Sequence, residues 1–186
     1  MSEGSRAAVL TCALFAVSVL LGVIMTVADP AAGQQLLELF REAILGEVID
    51  ASAPLLAATL FLNNLQACLV MFLGGASLGL VTAFVILSNG VVIGSIMEVV
   101  RQEEGALYIA AGLLPHGIFE IPAFLISGTL GFLLARSLWR EWHAEGDAAA
   151  EAVRFGRLFC YAVLPLVFLA AVTEAFITPA IIALVA

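Results

Sequence analysis

Apolar residues run in long blocks along the chain, separated by short stretches where charge returns. The first block, Ala7 to Ala28, matches the roughly 20 residues that a membrane-spanning helix needs. It is expected to be a retained first span, because it exceeds a typical signal-peptide core and lacks a small-x-small pattern before Asp29-Pro30. Asp29 offers a helix cap and Pro30 a first-turn residue. From Gln34 to Asp50 the pattern changes: Leu37, Phe40, Ile44 and Val48 recur at helical spacing, with Glu38, Arg41, Glu42 and Glu47 between them. This predicts an amphipathic helix, too polar to cross a bilayer, lying at the membrane surface or against the bundle.

Pro54 opens an apolar run that continues to Val100, too long for one span. Gly74-Gly75 is the expected turn, giving a second span over 55–73 and a third over 76–97, with Glu98, Arg101, Glu103 and Glu104 ending it in water. The run 106–135 is again longer than one span needs, and Pro115 divides it. Proline suits the first turn of a helix and not its interior, which predicts a short or re-entrant helix over 106–114 and a fourth span over 115–134. Arg136, Trp139, Arg140 and Trp142 form a charged, aromatic border of the kind found at membrane interfaces. Gly146-Asp147 caps an Ala-rich helix carrying Arg154 and Arg157, and a last span over 155–185 is expected to bend or break at Pro165 and Pro179. The predicted fold is all-α: one integral membrane domain over residues 1–186, a polytopic bundle of about five spans.

Composition agrees with this pattern. Hydrophobic residues make up 63% of the 186 and charged residues 12%, against about 25% charged in a soluble domain. The net charge of −8 argues against a nucleic-acid partner, leaving the lipid bilayer as the first expected one. All seven cationic residues are arginine. Arg6, Arg136, Arg140, Arg154 and Arg157 fall on one side of the predicted topology, and Arg41 and Arg101 on the other, so the N-terminus is expected in the cytoplasm and the C-terminus outside a cell membrane. Cys12, Cys68 and Cys160 stand singly in separate apolar runs and read as ordinary core residues.

Against this apolar background a few polar residues stand out. His116 and Glu120 are four residues apart and share one face of a helix with Ala123, Ser127 and Gly131, while Ile118, Ile121, Leu125 and Phe132 line the other. An ionised glutamate at mid-membrane costs roughly 2.5–3.5 kcal/mol on insertion scales, so partners are needed. Asn63, Asn64 and Gln66 on the second span, Asn89 on the third, and Glu174 with Thr178 on the last are the available ones. His116, at an expected helix start, would favour the neutral imidazole. On the third span Gly75, Gly79, Ala83, Gly90 and Gly94 form a flank with two GxxxG spacings, open to another helix of this chain or to a second copy in a homo-oligomer.

The cluster His116, Glu120, Glu174, Asn63, Asn64, Asn89 and Thr178 admits several readings. It is a hydrogen-bonded network fixing helix register, a proton or ion site, or a metal site. H-x-x-x-E lacks the second histidine of HExxH, no GxSxG is present, and no catalytic motif or cofactor signature marks an enzyme. Together, Asn63-Asn64, the glycines from Gly74 to Gly79, Asn89-Gly90, the segment Pro115-His116-Gly117-Ile118-Phe119-Glu120-Ile121-Pro122-Ala123, and Glu174 with Thr178-Pro179 resemble the stage II sporulation protein M family. That resemblance implies a multi-span membrane protein without catalytic activity. It also implies a scaffold for envelope partner proteins, as the namesake anchors the machinery that thins septal peptidoglycan during engulfment. The rival expectation is a small transporter or channel that binds a proton or cation at the cluster.

Overall fold

The computed structural model describes residues 2–45 and 52–185; Glu47, Val48 and Asp50 of the expected amphipathic helix lie outside them. Among the described residues the chain is helical throughout, and five helices are long and apolar enough to cross a membrane. α1 (Glu3–Ala28) is the first span. Asp29 then accepts hydrogen bonds from the amides of Ala31 and Ala32 and starts α2 (Pro30–Leu45), as the capping residues predict. α2 folds against α1 and α4, with Leu37 buried.

α3 (Ala53–Leu73) and α4 (Leu80–Glu103) form the expected hairpin, with the turn at a 3-10 segment over Gly74–Ser77. Gly79, with φ of 86°, supplies the left-handed backbone that lets α4 start. Thr82 donates from Oγ1 to the Met71 carbonyl at 2.8 Å and ties the hairpin together.

The glycine flank of α4 is filled by this chain itself. A carbon added at Gly94 would meet the Val19 carbonyl of α1, and one at Gly90 would meet Ser18. In return, Gly22 of α1 lies against the α4 backbone at Val91 and Ser95, and Ser95 Oγ donates to the Gly22 carbonyl at 3.2 Å. Gly75 packs on the backbone of Gly131. Helices have no hydrophobic drive to associate inside lipid, so this close backbone approach is what holds α1 to α4. A second copy of the chain would have to use some other surface.

Two expectations are corrected here. The break at Pro115 is absent: α5 (Ala106–Trp142) is one helix of 37 residues with Pro115 and Pro122 inside it, and there is no separate short or re-entrant helix over 106–114. The prolines free the carbonyls of Ala111 and Ile118, a loss that spanning helices tolerate where neighbours and local adjustments satisfy the backbone. Glu98 is likewise not in water. Its side chain is 4% exposed, wrapped by Arg101, whose Nε and guanidinium Nη2 each reach a carboxylate oxygen at 2.7 Å, and by the Gln102 amide at 2.9 Å.

After α5, Asp147 caps α6 (Ala148–Leu158) by accepting from the Ala150 amide at 2.9 Å. A π-helical turn over Phe159–Val163 joins α6 to α7 (Leu164–Phe176). The wider turn comes just before Pro165, where an ordinary helix would press the proline ring on the carbonyl one turn back. α8 (Thr178–Ile182) follows the expected break beside Pro179.

The two ends of the bundle differ. Arg136 of α5 pairs with Glu3 of α1 at 2.6 Å, and Arg6 and Trp139 line the same shallow groove. Arg101 lies at the opposite end of the bundle, where Ile182 of α8 also meets α5 at Gly112. The two ends of the described chain therefore lie at opposite ends of the bundle.

Candidate functional site

α5 carries His116 and Glu120, one turn apart. Because the helix runs unbroken through Pro115, His116 lies ten residues beyond Ala106. The helix dipole acts within about the first turn, so the expected dipole bias toward neutral imidazole has no basis. The ring has a carboxylate near each nitrogen instead. Nδ1 stands 2.5 Å from Glu174 Oε2 on α7, and Nε2 stands 3.9 Å from Glu120 Oε2 on α5 itself. Nδ1 and the facing Glu174 oxygen are buried and, among the described residues, have no hydrogen-bond partner beyond each other. The ring is 16% exposed, and the two carboxylates 34% and 35%.

That exposure is to a cavity of about 460 Å³ enclosed by α3, α4, α5 and α7, with Phe40 of α2 at its rim. Its lining reaches Tyr108 in the first turn of α5 and Val100 near the end of α4, so it runs to the end of the bundle that carries α2. Inward it ends at Asn63, Asn64, Asn89 and Glu120 together with the apolar Ile121 and Ala170. Beyond them Met71, Ile86, Ala123 and Phe124 are buried and close the bundle. The cavity is one-ended.

Six of the seven residues expected to cluster line this space together: Asn63, Asn64, Asn89, His116, Glu120 and Glu174. The Asn64 amide lies beside Glu120, and Asn63 donates to the Asn64 side-chain oxygen at 3.4 Å. The Asn89 amide donates to the Val85 carbonyl one turn back, at 2.9 Å. Thr178 is elsewhere. It is fully buried and donates to the Thr173 carbonyl at 3.3 Å, satisfying the end of α7. Gln66 does not line the cavity. Tyr108 does, and was legible in the four-residue spacing Tyr108, Gly112, His116, Glu120, which puts all four on one helical face.

Among the described residues, no group of three or more His, Cys, Asp and Glu side chains is arranged to hold a metal ion. The triad's chemistry lies in its charge. Two carboxylates flank a single imidazole, three groups that can each hold a proton.

The stage II sporulation protein M family model matches residues 11–179, which include every residue of the cavity floor. The chain belongs to the stage II sporulation protein M family. Within the curated proteins it is similar to an uncharacterized protein of Methanocaldococcus jannaschii, 33% identical over 123 residues, covering 64% of this chain and 68% of the archaeal one. No solved structure matches it. Family membership and the five apolar helices agree on a membrane protein of the stage II sporulation protein M type, with the His116–Glu120–Glu174 triad inside the matched region.

Proposed function

We propose that this protein is a non-enzymatic cell-membrane carrier that binds a proton or small cation at His116, Glu120 and Glu174. The observation that supports this best is the coincidence of an ionisable triad with a cavity that reaches it from one end of the bundle. A sealed hydrogen-bond network fixing helix register would need no such space. Intramembrane carboxylates are costly and are retained where they face a partner or a water-filled path. Five arginines, Arg6, Arg136, Arg140, Arg154 and Arg157, belong to the α1 start, the end of α5 and α6, and the positive-inside rule assigns that end to the cytoplasm. The N-terminus is then cytoplasmic, and the cavity faces the extracytoplasmic side together with α2 and the C-terminus.

The full chain, reconstituted in vesicles loaded with a pH-sensitive dye, is expected to move protons or cations down an imposed gradient. The double variant Glu120→Gln, Glu174→Gln is expected to be silent. Wild-type vesicles that show no flux under any proton or cation gradient would sink the proposal. The second reading, a scaffold for envelope proteins, rests on the family. It predicts silent vesicles and a partner complex that is lost on disrupting the bundle.

A further inference from the structure

The cavity is graded in polarity along its length. Its floor carries the carboxylates of Glu120 and Glu174 and the side-chain amides of Asn63, Asn64 and Asn89, groups whose oxygens can accept hydrogen bonds. Above the floor the walls are aliphatic, with Leu56 and Leu60 on α3 facing Ile93, Ile96 and Met97 on α4. From Asn89 to Val100, α4 rises about 16 Å at 1.5 Å per residue, and no charged side chain of α4 lines the cavity along that rise. A hydrated inorganic cation has no use for such walls, whose burial of apolar surface favours an uncharged body at roughly 25 cal/mol per Å². The volume of about 460 Å³ falls within the range of small-molecule sites.

The floor also distinguishes between kinds of cation. Among the described residues of the lining, the phenyl and phenol rings are Phe40 and Tyr108, both near the rim, and the aromatic ring at the floor is the His116 imidazole, held between the two carboxylates. Quaternary ammonium groups have no N–H to donate and are recognised by aromatic faces. A protonated amine carries up to three N–H donors, which match carboxylate and amide oxygens.

Resting on the proposed charge-binding role of the triad, we infer that the cavity takes an amphiphilic protonated amine, its ammonium on the acceptor-rich floor and its apolar chain along the α3 and α4 walls. The ammonium pairs with the Glu120 and Glu174 carboxylates without any covalent step.

Calorimetric titration of the full-length protein in lipid nanodiscs tests this, with empty nanodiscs subtracted to remove partitioning into lipid. Octylamine at neutral pH is expected to bind saturably. Octyltrimethylammonium, which lacks the donors, and methylamine, which lacks the chain, are each expected to bind at least about tenfold more weakly. Glu174→Gln is expected to weaken octylamine by a similar factor. Leu60→Trp from one wall and Ile96→Trp from the other fill the apolar part. Whichever of them remains monodisperse is expected to lose octylamine binding. Octylamine heats equal to those of empty nanodiscs, or equal affinity for the quaternary compound, would overturn the inference. Proton movement in vesicles without octylamine binding would remove the ligand class and leave the triad's role intact. Silent vesicles with saturable octylamine binding that Glu174→Gln weakens would keep the ligand class and remove the carrier reading.

Discussion

His116→Ala is expected to abolish proton or cation movement in vesicles and to lower stability by about 1–3 kcal/mol. Among the described residues, the ring is the group that faces both carboxylates, through Nδ1 to Glu174 and Nε2 to Glu120. Without it, two like charges share one pocket with no bridging donor. Breaking a fully buried pair costs about 3–5 kcal/mol, but both carboxylates keep roughly a third of their surface open to the cavity, which lowers the figure. Adding Glu174→Gln to the alanine variant removes one of the repelling charges. It should recover most of the lost stability and none of the movement. Thermal unfolding in nanodiscs and the vesicle assay read the two effects separately. An alanine variant with wild-type flux would show that the imidazole takes no part.

The second large effect is structural. Gly94→Val is expected to prevent recovery of monodisperse protein. The added carbon would lie on the Val19 carbonyl, and a backbone atom cannot swing aside as a side chain does. Overpacking a core costs about 1–3 kcal/mol where side chains can move, and more here because α1 and α4 must separate. Against a total stability of about 5–15 kcal/mol, that is a large share. Gly156→Ala is the contrasting control. Nothing lies within 4 Å of a carbon added there, so helix propensity alone acts, and the variant should be as stable as wild type or slightly more so. Yields measured by size-exclusion chromatography distinguish the two. Equal yields would mean that the α1–α4 contact is not close.

Much of this was legible along the chain because the bilayer reduces the choices. Length and polarity alone separate the five spans, and turn chemistry locates the hairpin at Gly74-Gly75. Helical spacing predicted that His116, Glu120 and the asparagines would meet, since buried polar groups in a bundle seek each other. Three things were hidden for physical reasons. Proline's preference for a first turn is a local rule, and the packing of α5 against α3, α4 and α7 overrides it at Pro115. Thr178 reads as a partner for Glu174 at i+4, yet the helix breaks between them and its hydroxyl satisfies the carbonyl of Thr173 instead. A glycine flank does not say which helix fills it, and only the α1–α4 contact shows that the answer lies within the chain. The cavity itself is a space between four helices, which no single stretch of sequence encodes.

Water and solutes are expected to reach the triad from one end of the bundle only. Cys12 and Cys160 are exposed, not core residues as expected, because they lie on the outer faces of their helices, and only Cys68 of the three is buried. A single cysteine at Asn89, with Cys12 and Cys160 replaced by alanine and Cys68 kept as an internal control, makes that access measurable with a membrane-impermeant thiol reagent. Labelling of Asn89→Cys is expected from the face that carries α2 and not from the face that carries Arg136, with Cys68 unlabelled throughout. No labelling from either face, or labelling from the Arg136 face, would contradict the account.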